Sequence, residues 1–273
     1  MFQHRAQVLW NEKIGAGCYK IGLTCPEHYA MARPGQFIML GLVGQTAPLL
    51  RRPFSIHNLI ISEGRTEGFE LLYKVVGKAT GILSQQPTGA MVDILGPLGT
   101  GFIISRAAKR IHVVAGGIGV APMLFLASRL YRDNFDFSDC RVFLGGRTKE
   151  DLLCRDDFVK LGLTVDTTTD DGTFGDQCLV THPLEEAVDR NPPDLIVACG
   201  PMAMLACVTG IAEKHHITCQ VSIETAMACG MGACLGCAVE GRAAPDRYLH
   251  ACLDGPVFDA TDLKLVDGEG LNI

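Results

Sequence analysis

Short apolar runs separated by turn residues mark the first 105 residues of the chain. QFIML follows Arg33-Pro34-Gly35, FELLYKVV comes next, and MVDIL precedes Gly96-Pro97. Apolar runs of this length, bounded by Gly and Pro, are typical of strands joined by tight turns. We therefore predict an antiparallel β-barrel or sandwich over residues 1–105.

The pattern changes near Lys109. IHVVAGG reads as a strand followed by glycines, and APMLFLASRLY has apolar residues at helical spacing. Further strands are predicted at RVFLGG, LTVDTT and DLIVACG, and the last is followed by a helix at MAMLACVTGIAEK. Strands that alternate with helices indicate a parallel sheet covered on both faces. This predicts an α/β domain over residues 106–218.

Beyond residue 218 the composition shifts to Gly, Cys and Ala, which favours a small C-terminal module over residues 219–273. The fold class predicted is therefore a multidomain α+β protein. One stretch, residues 195–212, runs without a charge, but Gly200-Pro201 interrupts it. Because Pro breaks a helix, a buried strand, a turn and a buried helix fit that stretch better than a membrane span.

Composition excludes some classes of function. The 273 residues are 48% hydrophobic and 20% charged, as in an ordered globular protein. A formal net charge of -6 without a basic run argues against nucleic acid as a partner. The first residues, MFQHRAQVLWNEKIG, have no secretory pattern, so we expect a cytoplasmic protein that has no membrane partner.

Four of the twelve cysteines form a pattern of their own. Cytosolic thiols are kept reduced, so metal or redox chemistry is the better use for clustered cysteines. The run C-G-M-G-A-C-L-G-C has the C-x4-C-x2-C spacing of plant-type 2Fe-2S sites, which a more distant fourth cysteine completes. The predicted cluster ligands are Cys229, Cys234, Cys237 and Cys252. The other eight cysteines are assigned to packing.

Glycines in the same loop suit a cluster. Gly230, Gly232 and Gly236 permit positive φ angles and close backbone approach, and backbone amides in such a loop can bond to sulfur. The alternative is a zinc site, because four thiolates also bind zinc. Zinc motifs usually contain two C-x2-C pairs, and only one is present here, so the spacing favours iron and sulfur.

Residues 51–56, RRPFSI, are suited to a flavin. An arginine such as Arg52 can clamp a pyrophosphate, Pro53 fixes the backbone, Phe54 can lie against a ring system, and Ser55 can hydrogen-bond to it. An ordinary strand edge with a buried Phe explains the same residues. No catalytic residue is predicted in this segment or elsewhere.

A second segment strengthens the flavin interpretation. Leu72, Tyr73 and Lys74 lie in a predicted strand, and GKATG then opens a helical stretch whose backbone amides are suited to phosphate. A threonine cap on an ordinary turn explains the glycines equally well. Because a one-electron cluster needs a partner that exchanges one or two electrons, the two segments together favour flavin.

Two glycine-containing turns are candidates for binding a nicotinamide nucleotide. GGIGVAP follows the strand IHVVA and opens a helix, and the turn in CGPM follows the last strand, where parallel sheets bind ligands. The G-x-G-x-x-G fingerprint is absent, and each turn could be only a tight connection. Arg147 would suit a 2'-phosphate, which leaves NAD and NADP open. The predicted residues are Gly116, Gly117, Gly119, Cys199, Gly200 and Pro201.

In this order the motifs resemble the ferredoxin-reductase superfamily, with R-x-F-S and G-x-x-T for flavin and G-G-x-G-x-x-P and C-G-P-M for nicotinamide. ETAMACGMGACLGC followed by HACLDGPVF looks like the electron-transfer subunits of bacterial NAD-linked dihydroorotate dehydrogenases. The resemblance covers nearly the whole chain, and its C-terminal motif is the specific part.

The resemblance implies an FAD barrel domain over 1–105, an NAD domain over 106–218 and a 2Fe-2S module over 219–273. FAD would lie at Arg52 to Ser55, Leu72 to Lys74 and Ala79-Thr80. A separate FMN-containing subunit would oxidise dihydroorotate in pyrimidine biosynthesis, two of each subunit forming a heterotetramer. Electrons would cross the cluster to FAD and then NAD, and this chain would have no dihydroorotate site.

Two alternatives remain open from the sequence. The first is the electron-input subunit of another NAD(P)H-linked reductase, of the ferredoxin, sulfide or hydrogenase type. The second is a zinc-stabilised binding module that keeps the fold without cofactors. An absorption spectrum with flavin and 2Fe-2S bands would separate the second from the others.

Overall fold

In the computed structural model, which describes residues 2–15, 17–44, 47–242 and 247–265, six antiparallel strands close into a barrel in the order β1-β2-β5-β4-β3-β6. The strands are β1 (Phe2–Gly15), β2 (Cys18–Thr24), β3 (Phe37–Leu42), β4 (Arg52–Ser62), β5 (Arg65–Lys74) and β6 (Met91–Leu98). A short helix, α1 (Lys78–Leu83), connects β5 to β6. The predicted barrel is confirmed.

Side chains alternate between the inside and the outside of the barrel along each strand. Ile38 and Leu40 of β3 point into the barrel core, whereas Phe37 and Met39 pack into a second core outside it. A strand that is apolar on both faces is covered on both sides. The barrel wall at β3 therefore separates two apolar cores.

The second domain contains five parallel strands in the order β9-β8-β7-β10-β11. The strands are β7 (Ile111–Gly116), β8 (Arg141–Gly146), β9 (Thr164–Thr169), β10 (Leu195–Cys199) and β11 (Thr218–Ser222). The helices are α2 (Val120–Arg132), α3 (Arg155–Lys160), α4 (Thr181–Arg190) and α5 (Met202–Lys214). The direction of winding reverses between β7 and β10, which is where such sheets bind ligands.

The C-terminal part is joined to this sheet. It adds a two-stranded sheet of β12 (Ala238–Glu240) and β13 (Tyr248–His250), and then β14 (Val257–Asp259), which pairs antiparallel with β11. The predicted limit at residue 218 falls within β11, and β14 lies beyond it in sequence. The module is thus tied to the α/β domain by a shared sheet, and the exact domain limits stay a prediction.

The charge-free stretch of residues 195–212 is divided as expected. β10 ends at Cys199, Gly200-Pro201 form the turn, and α5 begins at Met202. The longest helices, α2 and α5, have 13 residues each. In the described part of the chain, no helix has the length and apolar character needed to cross a bilayer.

A buried histidine joins the barrel to the α/β domain. Nδ1 of His57, on β4, lies 2.9 Å from the carbonyl oxygen of Ala121 in α2. Because a carbonyl only accepts, Nδ1 carries the proton and donates. Nε2 lies 3.9 Å from Sγ of Cys154, and Phe125 of α2 enters the barrel core. Desolvation on burial lowers the pKa of His57 from 6.5 to about 4.

This shift predicts a pH dependence of stability. Between pH 6.5 and about 4 the unfolded chain binds a proton at His57 that the folded protein does not. The free energy of unfolding should therefore fall as pH is lowered through this window, by up to about 1.4 kcal/mol per pH unit for one histidine. Burial shifts the pKa of His112 in the same direction, to about 4.

Urea unfolding at several pH values will measure this slope. We expect His57→Gln to have a shallower acid slope than the wild type, with the contribution of His112 remaining. The matched control is His216→Gln, because His216 is exposed. An unchanged slope in His57→Gln would contradict the prediction.

Candidate functional site

The fold brings the four predicted ligand cysteines together in two pairs. Cys237 and Cys252 are buried, and their Sγ atoms lie 3.2 Å apart. Cys229 is half-buried and Cys234 is exposed, and the backbone N–H of Cys234 donates to Sγ of Cys229 at 3.4 Å. A two-iron cluster with four cysteine ligands takes two thiolates for each iron, and this pairing fits that requirement.

Backbone amides point at three of the sulfurs. Met231 N–H donates to Cys229 at 3.4 Å, Gly232 N–H to Cys252 at 3.1 Å, and Gly236 N–H to Cys234 at 3.5 Å. Such bonds favour thiolates and tune a bound cluster.

The chemistry of the thiols also fits a metal cluster. The hydrogen bond from Met231 is the main cause that lowers the pKa of Cys229 to about 7, whereas burial raises the pKa of Cys252 to about 12. A coordinating metal ion holds such a buried thiol deprotonated. Within the described ranges no three His, Cys, Asp or Glu side chains converge on one metal position. A cluster that divides its four sulfurs between two irons does not require such convergence.

Two glycines of the loop are required by its geometry. Gly230 has φ 71° and packs on Met39 and Leu98 of the barrel, and a Cβ at this position would overlap the side chain of Met39. Gly232 has φ 81° and packs in the same way on Leu253. The nearest atom to a Cβ at Gly236 would be Sγ of Cys234 at 3.6 Å, an ordinary contact.

The predicted flavin segments meet at one end of the barrel. Arg52 and Phe54 of β4 line a small cavity together with Ala79 of α1. The ring of Tyr73 lies edge-on to Phe54, with the ring centres 5.8 Å apart. The other two predicted residues of β4, Pro53 and Ser55, pair with Met39 and Phe37, which belong to the second core. Leu72 is buried against α2 and its neighbours.

The consecutive arginines Arg51 and Arg52 have different partners. Arg51 is paired with Asp93, whereas Arg52 donates from Nη1 to the carbonyl oxygen of Leu50 at 3.0 Å. In the described ranges Arg52 has no carboxylate within salt-bridge distance. Its guanidinium therefore keeps donors for an anionic ligand, as the pyrophosphate of a dinucleotide requires.

Thr80 uses its hydroxyl within its own turn. Oγ1 accepts from the backbone N–H groups of Val76 at 3.0 Å and Gly77 at 3.2 Å, and donates to the carbonyl oxygen of Gly77 at 3.1 Å. The hydroxyl is thereby committed to shaping the turn before α1, which is the alternative that the sequence left open. Its contact with FAD stays a prediction.

A cavity of about 660 Å³ lies at the carboxyl edge of the parallel strands. The glycine turn after β7 and the turn after β10 line it, as predicted for a nucleotide site, through Gly116, Gly117, Gly119, Gly200 and Pro201. The barrel contributes Cys18 and Lys74. Nζ of Lys74 lies 3.3 Å from Oδ1 of Asp151 across the domain junction. The cavity thus adjoins the flavin segment at Lys74.

The two turns approach each other through their backbones. A Cβ at Gly119 would overlap the carbonyl group of Cys199, so only glycine allows this approach. Cys199 itself is buried and does not line the cavity. Its predicted part in nucleotide binding is thus restricted to shaping the turn.

Glu224 begins the motif ETAMACGMGACLGC but was not among the predicted site residues, and it lines the same cavity. It lies two residues after β11 and precedes the cysteine loop, and that place near the carboxyl end of a parallel strand was the available signal. The protein around it desolvates the carboxyl group and raises its pKa. Arg147, Asp151 and Asp170 also line the cavity.

Comparison with known families agrees with this geometry. The model described as the iron-sulfur cluster binding domain of dihydroorotate dehydrogenase B matches residues 224–264. The oxidoreductase NAD-binding domain matches residues 113–210. These ranges contain the cysteine loop and both glycine turns, respectively.

Relatives match over nearly the full length. The dihydroorotate dehydrogenase B (NAD(+)), electron transfer subunit, of Desulforamulus reducens is 36% identical over 257 residues, 93% of this chain and 95% of that one. Its namesake in Clostridium acetobutylicum is 35% identical over 264 residues, 96% of this chain and 97% of the relative.

Solved structures share the fold. An NADH-dependent reduced ferredoxin-NADP oxidoreductase has a TM-score of 0.81 and 26% identity, with 95% of this chain and 90% of that chain covered. The Neisseria gonorrhoeae ferredoxin NADP+ reductase with bound FAD and NADP has a TM-score of 0.64 and 15% identity, covering 78% and 91%.

The barrel, the parallel sheet and the C-terminal cysteine module define a protein of the ferredoxin-reductase-like class. Within that class the relatives decide the family. At 35 to 36% identity over more than nine-tenths of its length, the chain belongs to the family of dihydroorotate dehydrogenase B electron transfer subunits.

The contact between the cysteine loop and the barrel predicts the effect of one substitution. We expect Gly230→Ala to lose most of the cluster, because the added Cβ overlaps Met39 and the positive φ costs roughly 1 kcal/mol more. Gly236→Ala, in the same loop, should keep it. Iron content and visible absorption of the purified chains will measure occupancy. Equal occupancy in the two variants would refute the assignment of this contact.

Proposed function

We propose that the chain passes electrons from a dihydroorotate-oxidising catalytic subunit to NAD, through a 2Fe-2S cluster and FAD, in pyrimidine biosynthesis. One observation supports the proposal: contacts link the three candidate sites in series. The cysteine loop packs on Met39, Met39 pairs with Pro53 of the flavin segment, and Lys74 of the other flavin segment reaches the nucleotide cavity.

When bound, FAD supplies the chemistry that links one-electron exchange with the cluster to hydride exchange with the nicotinamide. The chain's own residues would bind and orient the two dinucleotides. Arg52 offers guanidinium donors to a pyrophosphate, and the backbone turns at Gly117 and Gly200 line the cavity for a second dinucleotide. Glu224 places a carboxyl group in the wall of that cavity.

The partner subunit would dock on the face that carries the cluster. Cys234 is exposed there, and three apolar side chains beside the cysteines are exposed as well, Met231 by 40%, Leu235 by 58% and Leu253 by 55%. Exposed apolar residues grouped at one place mark interaction sites. We propose an FMN-containing catalytic subunit on this face, with two copies of each subunit in a heterotetramer in the cytoplasm.

Dihydroorotate oxidation belongs, in this proposal, to the partner alone. The large cavity of this chain is lined by the turns suited to a dinucleotide, and the small cavity by the flavin segments. The chain would be an oxidoreductase subunit without a dihydroorotate site.

A second candidate function has a specific observation in its favour. The solved NADH-dependent reduced ferredoxin-NADP oxidoreductase covers the whole architecture with a TM-score of 0.81. An electron-input subunit of another reductase would use the same three sites with a different partner. The choice depends on the electron donor, which activity measurements decide.

Reconstitution with the catalytic subunit tests the proposal. We expect dihydroorotate-dependent reduction of NAD by the complex, and its loss in Cys234→Ser, which should also lose the 2Fe-2S spectrum. Arg52→Ala should mainly weaken the binding of FAD. Cys178→Ser changes a cysteine outside the predicted cluster and should behave as the wild type. Activity with ferredoxin but none with dihydroorotate would favour the second candidate, and a colourless protein that contains zinc would exclude both.

The position of Glu224 in the cavity wall leads to a prediction about the affinity of the chain for oxidised nucleotide. An ionised Glu224 beside the cationic nicotinamide ring should favour NAD binding, so Glu224→Gln should weaken it by about 1 kcal/mol, roughly fivefold in Kd. Because burial raises the pKa of Glu224, wild-type affinity should fall as pH is lowered from neutral, and that dependence should vanish in the variant. Titrations monitored by flavin absorbance will show both effects, and parallel pH profiles would contradict this role.

A further inference from the structure

One amide side chain of the barrel lies between the flavin segments. Asn11 of β1 donates from Nδ2 to the carbonyl oxygens of Leu83 at 2.8 Å and Gln86 at 3.2 Å. Its Oδ1 accepts the hydroxyl of Tyr73 at 3.1 Å. Both protons of the amide and its oxygen are therefore used, in a partly buried position.

These bonds reach two of the flavin segments directly. Tyr73 belongs to the segment at the end of β5, and Leu83 closes α1, the helix that contains Ala79 and Thr80. Asn11 therefore connects the end of α1 to β5, although β1, which carries Asn11, is far from both in sequence.

The third segment is reached through the ring of Tyr73. That ring lies edge-on to Phe54 at 5.8 Å between centres and stacks on Tyr19 at 5.7 Å. A phenol whose oxygen is hydrogen-bonded and whose ring is packed on two sides keeps a single orientation. Its orientation in turn sets the position of Phe54, next to Arg52.

We propose that Asn11 is a positioning residue for FAD, which holds the three flavin segments in register from outside the binding surface. The inference rests on the proposed function only in requiring that the chain binds FAD. Asn11 does not line either cavity, so its effect on the cofactor would pass through Tyr73 and α1.

If the Asn11 amide were removed, each of its three partners would lose one hydrogen bond. The carbonyl oxygen of Leu83, at the end of α1, would keep only the backbone N–H of Gln86 at 3.0 Å, and the carbonyl oxygen of Gln86 would lose its side-chain donor. Tyr73 is buried, so its hydroxyl could not be satisfied without movement. The side chains that frame the flavin site would then no longer be held in one arrangement.

The test compares the retention of FAD by full-length holoproteins. Asn11→Leu keeps the size of the side chain and removes all three bonds, and Tyr73→Phe removes only the hydroxyl. We expect FAD to be released about tenfold faster from Asn11→Leu than from the wild type, which corresponds to the net strength of one or two hydrogen bonds. Flavin fluorescence after dilution gives the rate, and circular dichroism in the flavin bands reports the geometry of the site.

A double-mutant cycle separates positioning from general destabilisation. If Asn11 acts through Tyr73, the double variant should lose FAD less quickly than the product of the two single effects predicts. Thr88→Val is the matched control, because the Thr88 hydroxyl also bridges a loop to β1, at the carbonyl oxygen of Leu9, but touches no flavin segment. Its FAD release and its flavin dichroism should match the wild type.

Three outcomes with the variants would overturn the proposal. Asn11→Leu could release FAD no faster than Thr88→Val, or the two single effects could simply multiply, or the flavin dichroism could stay unchanged while only the unfolding temperature falls. A wild-type chain that binds no FAD would overturn this proposal and the proposed function together. A chain that holds FAD but cannot couple dihydroorotate to NAD would overturn the proposed function alone.

Discussion

The contact of the cysteine loop with strand β3 is the constraint on which the arrangement of sites depends. Gly230 lies directly on Met39, and Met39 pairs with Pro53 in the strand that carries the flavin segment. The loop therefore packs on the strand next to the one that carries the flavin segment. Because interiors are close-packed, we expect any side chain at Gly230 to move the predicted cluster ligands away from the barrel.

The same apolar core continues into the α/β domain. It contains Cys237 and Cys252 together with residues of β3, β6, β10 and β11. The buried pair of predicted cluster ligands is thus part of the packing that joins the C-terminal module to both other domains. A metal site built into a shared core ties the binding of the cluster to the relative position of the domains.

The junction of the barrel and the sheet sets how the flavin segments lie relative to the nucleotide cavity. The His57 ring donates a hydrogen bond to Ala121, Phe125 enters the barrel core, and Lys74 is paired with Asp151 in the lining of the cavity. The flavin segments belong to the barrel and the glycine turns to the sheet, so these contacts decide how the two face each other. Both ends of the proposed electron path therefore rest on contacts between domains.

Local patterns in the sequence determined the kinds of element and the candidate ligands. Strand and helix periodicity indicated the barrel and the alternating domain, and cysteine spacing indicated the cluster, because each signal is complete within a few turns of chain. Short helices such as α3 could not be predicted in this way, since six residues carry too little periodicity. The tertiary structure alone decided that Glu224 lines the nucleotide cavity, that the Thr80 hydroxyl is used within its own turn, and that Asn11 connects the flavin segments. Those facts depend on which distant segments the pairing of strands brings together, and no local pattern encodes that pairing.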